Sequence, residues 1–98
     1  MTTPTPSVRT VHVRIEGRVQ GVGFRAWVEN EATGLGLGGW VRNRRDGTVE
    51  AVFGGDPDSV AEMLRRCKMG PPSARVTSVD VVAEDVQVDF GFRVERTV

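Results

Sequence analysis

Chemistry in this 98-residue sequence concentrates between Arg18 and Arg25 (RVQGVGFR), where glycines crowd a turn leading from an alternating segment into one of helical spacing. Such a turn aims several backbone N–H groups into one concavity, and a helix starting there adds about half a positive charge at its N-terminus. Arg25, in the first turn of that helix, adds a guanidinium whose planar donors match two oxygens of a tetrahedral anion. Together these features read as a phosphate cradle. The same spacing also fits a plain glycine-rich connection carrying a solvent-exposed arginine. Residues Gly21 to Ala26 (GVGFRA) formally satisfy the GxGxxG/A dinucleotide pattern, but that fold needs a parallel next strand and several βα units, which this chain lacks. No GK[ST] tripeptide is present, which removes a nucleoside-triphosphate loop.

Asn43 is the second candidate. It stands at the end of an apolar stripe where Val would fit the pattern equally well, and a buried amide there can hold a water molecule or a substrate oxygen. The competing reading is a turn-flanking Asn bonded to local backbone. Arg42, Arg44 and Arg45 surround it, and Glu50 can pair with them across a hairpin, so the basic run reads as a solvated face rather than a nucleic-acid surface. His12 has no second His or Cys pair near it and reads as a surface or hydrogen-bonded structural residue. Cys67 falls on the apolar side of a helical segment, as a small core residue. Metal-ligand spacing and a Ser-His-acid trio are both missing, so no metal and no cofactor is expected.

The elements that must position these residues follow from periodicity. Val11, Val13 and Ile15 alternate with polar residues, as in a strand with one buried face, and Phe24, Val28, Ala32 and Leu35 mark one face of a helix closed by Gly34 or Gly36. Two alternating runs then flank Arg45-Asp46-Gly47. A three-residue loop at 45–47 pairs Asn43 with Val49 and Val41 with Ala51, which gathers the apolar set on one side, so this register is preferred over a two-residue turn. Asp56-Pro57 supplies an N-cap and first-turn proline for a second helix bearing Val60, Met63, Leu64 and Cys67, which ends at Gly70. Alternation around Val79, Val81 and Ala83, and again around Phe90, Phe92 and Val94, predicts two last strands, with Phe90 and Phe92 on the apolar side. The order is β-α-β-β-α-β plus an extra C-terminal strand: a ferredoxin-like split βαβ sandwich in the α+β class, with two helices on one face of an antiparallel sheet.

Length allows one domain, expected over residues 8–98, after a Pro- and Thr-rich tail at 1–7. Formal net charge is zero, with 13 basic and 13 acidic side chains, which gives no general push toward nucleic acid. The charge is unevenly spread: residues 1–45 hold seven Arg against three Glu, so an anion is the ligand expected there. One Cys, no signal-like start and no apolar run of membrane length point to a reducing, cytoplasmic home and no membrane contact.

The phosphate loop Gly17 to Arg25 (GRVQGVGFR), the hairpin Gly39 to Glu50 (GWVRNRRDGTVE) and the segment Gly70 to Arg75 (GPPSAR) together resemble the acylphosphatase family, over roughly residues 8–96. That resemblance implies a small cytosolic, metal-independent hydrolase, expected as a monomer, which splits the carboxyl-phosphate anhydride of acyl phosphates into a carboxylate and inorganic phosphate. By the resemblance, Arg25 binds phosphate together with backbone N–H groups of Val19, Gln20, Gly21, Val22, Gly23 and Phe24. Asn43 orients the attacking water, and inorganic phosphate or sulfate is a ligand of the same loop. Two other classes fit the same fold: a non-catalytic module for an anionic metabolite or a protein edge, and a relative of the acylphosphatase-like domain of hydrogenase-maturation carbamoyltransferases.

Overall fold

The computed structural model describes residues 8–98, so the tail expected at 1–7 lies outside the described residues. The chain runs β1 (Arg9–Arg18), α1 (Phe24–Gly34), β2 (Gly38–Asn43), β3 (Val49–Gly55), α2 (Pro57–Met69), β4 (Arg75–Glu84) and β5 (Phe92–Val94). The element order is the one that periodicity predicts. Strands line up as β4-β1-β3-β2-β5. Val11, Val13 and Ile15 of β1 are fully buried and meet Val28 and Ala32 of α1 and Val60, Met63 and Cys67 of α2 in one core. Both helices therefore cover one face: α1 lies over β2 and β5, and α2 over β4, β1 and β3.

The hairpin has the three-residue loop, with Asn43 opposite Val49 and Val41 opposite Ala51. The Arg44 N–H donates to Thr48 O at 2.8 Å and closes the loop. Register follows the buried face, because a slip of one residue would turn Val41 and Ala51 away from the core.

Two details differ from expectation. The sheet is mixed, not antiparallel throughout, since β5 pairs parallel with β2. The reason is topological: β4 ends beside the start of β1, the same end of the sheet at which β2 and β5 begin. Residues 85–91 cross that end, with Val88 lying over Gly38 and Gly54, and β5 must then run in the direction of β2. Phe90 is fully exposed and precedes the strand instead of packing on its apolar side. Gly91, at φ 76°, breaks the extended run between Phe90 and Phe92. Phe92 does reach the core, stacked on Phe53 at 5.7 Å.

Candidate functional site

β1 delivers the chain to a loop at Val19–Gly23 that feeds α1. Gly21 and Gly23 have φ 74° and 76°, the left-handed region, and a Cβ at either would meet no atom within 4 Å. Glycine is thus required there by backbone conformation and not by crowding. The two helices differ at their N-termini. In α2 the Asp56 carboxylate accepts from the Asp58 and Ser59 N–H groups at 2.9 and 3.3 Å. In α1 the N-cap is Gly23, no side chain caps the helix, and no acidic residue stands in the first turn. The first amides of α1 and its dipole are therefore left for an anion.

Those amides open into a pocket of about 330 Å³ lined by the loop, Arg25, Glu29, Asn43 and Val94 among others. Arg25 and Asn43, 18 positions apart in sequence, thus share one cavity. Asn43 reaches it from the end of β2, held at its own backbone by the Val98 N–H, which donates to Asn43 O at 3.1 Å. The Asn43 Oδ1 is buried and accepts no hydrogen bond from the described residues. A buried carbonyl oxygen without a partner is costly, and the residue that carries it lines the pocket.

The loop is braced from both sides. The Gln20 side-chain amide donates to Arg44 O at 2.7 Å and to Thr48 O at 2.8 Å, which ties the loop to the hairpin carrying Asn43. Ser73 Oγ donates to Val22 O at 3.3 Å from the turn after α2. Val19, Gln20, Gly21, Gly23, Phe24, Arg25 and Asn43 line the pocket, while Val22 instead turns toward Ser73 and packs on the core. Ala26, Glu29 and Val94 also line it and were not singled out from sequence. Glu29 could have been found, because it lies one helical turn beyond Arg25 on the same face. Val94 arrives through the parallel pairing of β5, for which no local signal exists.

The other chemically suggestive residues lie elsewhere. On the open face of the sheet the buried Glu50 carboxylate accepts from Arg42 Nε at 2.7 Å and Arg44 Nη1 at 3.0 Å, and pairs with His12 Nε2. Burial opposes ionisation of Glu50, but the hydrogen bonds from Arg42, Arg44 and His12 outweigh it and hold its carboxyl below the usual range. Arg42 also lies 4.6 Å over the Trp40 ring. Two of the three arginines of the basic run are therefore engaged within the protein. Burial pushes the Cys67 thiol up to about 12, with Glu31 adding to the shift, so it is no nucleophile at neutral pH. A larger cleft of about 460 Å³ at the other end of α1 has Asp89 as its sole charged lining residue, so it offers an anion no cationic side chain. Among the described residues no three His, Cys, Asp or Glu gather as metal ligands, and no helix is long and apolar enough to cross a membrane.

A protein-family model for acylphosphatases matches residues 11–94. The chain belongs to the acylphosphatase family. It is 52% identical over 90 residues to an acylphosphatase of Azorhizobium caulinodans, covering 91% of this chain and 97% of that one. Over 69 residues it is 65% identical to an acylphosphatase of Bradyrhizobium diazoefficiens, covering 70% of each. Among solved structures, an acylphosphatase from Coxiella burnetii superposes with a TM-score of 0.85 at 40% identity, over 91% of this chain and 94% of that one. The acylphosphatase from Bacillus subtilis gives 0.82 at 34% identity, over 90% and 98%. Full-length HypF in a phosphate- and nucleotide-bound form also matches, with a TM-score of 0.82 and 27% identity, but this chain spans only 13% of it.

Proposed function

We propose that this acylphosphatase-family protein hydrolyses acyl phosphates at the pocket between the 19–24 loop and the end of β2, with Arg25 and Asn43 as its catalytic residues. The observation that supports the reading is that the uncapped start of α1, Arg25 and Asn43, whose buried Oδ1 has no partner among the described residues, line one cavity. The first two hold the phosphoryl oxygens. Asn43 Oδ1 accepts a hydrogen bond from a water molecule and so fixes the water oxygen facing phosphorus. Attack forms a P–O bond to water as the P–O bond to the acyl oxygen breaks. The electron pair leaves with the carboxylate, and the water proton passes to a phosphoryl oxygen. An acyl phosphate carries a good leaving group, so positioning and charge stabilisation suffice, without a dedicated base.

As proposed, the reaction uses no metal, because Arg25 and the α1 amides supply the positive charge, and inorganic phosphate or sulfate competes for the same cradle. A cytoplasmic monomer acting on small-molecule acyl phosphates, without nucleic acid or membrane, completes the reading. Phosphate release from benzoyl phosphate tests it. Turnover that persists with chelator and falls in Arg25→Ala is the expected result. Absence of turnover in the wild type, or turnover that chelation abolishes and Mg²⁺ or Zn²⁺ restores, overturns the reading.

A further inference from the structure

We propose that Glu29 is a specificity-determining residue for the acyl group, steering the pocket toward acyl phosphates whose acyl part is neutral or cationic and against those carrying a further carboxylate. The inference rests on the reading above and deepens it.

Once the loop, Arg25 and Asn43 are assigned to phosphate and water, the remaining pocket walls are Ala26, Glu29 and Val94. An acyl group bound through its phosphate lies against these three residues. Two are small or apolar and contribute shape. The third is a carboxylate, and it forms no ion pair with another described residue. The other glutamates of the two helices are engaged: Glu62 pairs with Arg65 and Arg66, and Glu31 with Arg66. Glu29 alone among them lines the pocket and makes no ion pair with a described residue, and Arg25, one turn away, is the cation assigned to the phosphate.

Helix geometry fixes its place. Residues four apart share a face, so Glu29 stands just over one turn, about 6 Å, along α1 from Arg25, with its side chain leaning back toward the helix N-terminus. Arg25 and the open amides hold one anionic group at the mouth of the helix, and Glu29 sets a negative charge just beyond it. A second anionic group on the substrate meets repulsion there, whereas an ammonium meets attraction. The effect on the phosphoryl group and on the departing carboxylate is common to every acyl phosphate. It therefore cancels in a ratio between substrates that differ only in the charge of the acyl part.

The test compares benzoyl phosphate with its para-carboxy and para-trimethylammonio derivatives, in wild type and Glu29→Gln. The wild type is expected to rank kcat/KM as cationic over neutral over anionic, and Glu29→Gln to raise the anionic-to-cationic ratio about fivefold, as for charges separated by several ångströms near a protein surface. Raised ionic strength should compress the wild-type ranking, which a merely structural role for Glu29 would not produce. A ratio unchanged in Glu29→Gln, with benzoyl phosphate still turned over, overturns the proposal and leaves the hydrolase intact. Failure of the wild type to turn over benzoyl phosphate overturns both.

Discussion

Asn43→Ala is expected to lower kcat by roughly 10² to 10³ while leaving stability within about 1 kcal/mol of wild type. The two halves have separate origins. The rate loss, about 2.7–4 kcal/mol of barrier, is that of removing one positioned polar partner from a reaction that depends on placement. The stability side follows from the Oδ1, which is buried and accepts no hydrogen bond from the described residues. An unmet buried acceptor costs about 1–3 kcal/mol, so deleting it returns stability that the loss of the amide's packing partly cancels. Because the water is held tightly only as the transition state forms, phosphate inhibition should stay nearly unchanged. Arg25→Ala should behave differently, raising KM and the phosphate inhibition constant as well as lowering kcat, and Arg25→Lys should not rescue it, since an ammonium lacks the planar pair of donors. Steady-state kinetics on benzoyl phosphate, phosphate inhibition and urea melts of each variant give all the readouts. If Asn43→Ala lost more than about 2 kcal/mol yet kept its kcat, the amide would be a brace for the hairpin. Tenfold weaker phosphate binding at unchanged kcat would make it a ligand-holding residue instead.

Glu50→Gln is expected to cost about 1–3 kcal/mol near neutral pH, because three cationic or donating partners converge on the carboxylate. Its lowered pKa means the stabilisation is complete above the ordinary Glu range and lost as pH falls through the folded-state value, so urea midpoints of variant and wild type should converge in acid. Gly23→Ala places a Cβ at φ 76°, where no neighbouring atom interferes, so a loss of roughly 1–2 kcal/mol should come from backbone conformation alone, with weaker phosphate binding as the loop shifts. Thermal melts with and without phosphate separate the two effects. Cys67 should resist a thiol reagent in the native protein and react after unfolding, its thiol being buried and pushed up to about 12; rapid native labelling would contradict that. Inorganic phosphate at about 100 times its Kd should raise wild-type stability by ~2.7 kcal/mol, and an equal shift in Arg25→Ala would count against the cradle.

What was legible in the sequence was what short-range pattern controls. Alternation placed β1, spacing of four placed the buried face of α1, and the requirement that Val41 and Ala51 share a side chose the three-residue hairpin loop. That Arg25 lines the same pocket as the loop was legible because both sit in one short segment. Asn43 showed only as a polar residue in an apolar stripe. What was not legible depends on segments distant in the chain: β5 running parallel to β2, Val94 reaching the pocket, and the Gln20 and Ser73 hydrogen bonds that brace the loop. Phe90 misled for the same reason, since alternation counts residues and cannot see that Gly91 turns the chain between Phe90 and Phe92.

The contrast between the two helix starts links these levels. Both helices leave their first amides without partners inside the helix, and an Asp cap of the kind at Asp56 is worth about 1 kcal/mol. The chain takes that stabilisation at α2, which begins away from the pocket, and forgoes it at α1, where Gly23 brings no side-chain acceptor. A carboxylate at position 23 would occupy the amides and place negative charge where the proposed mechanism puts the phosphoryl oxygens. The missing cap on α1 and the unpartnered Oδ1 of Asn43 each leave a polar group without a partner among the described residues, and under the proposed mechanism a bound acyl phosphate with its attacking water would satisfy both together.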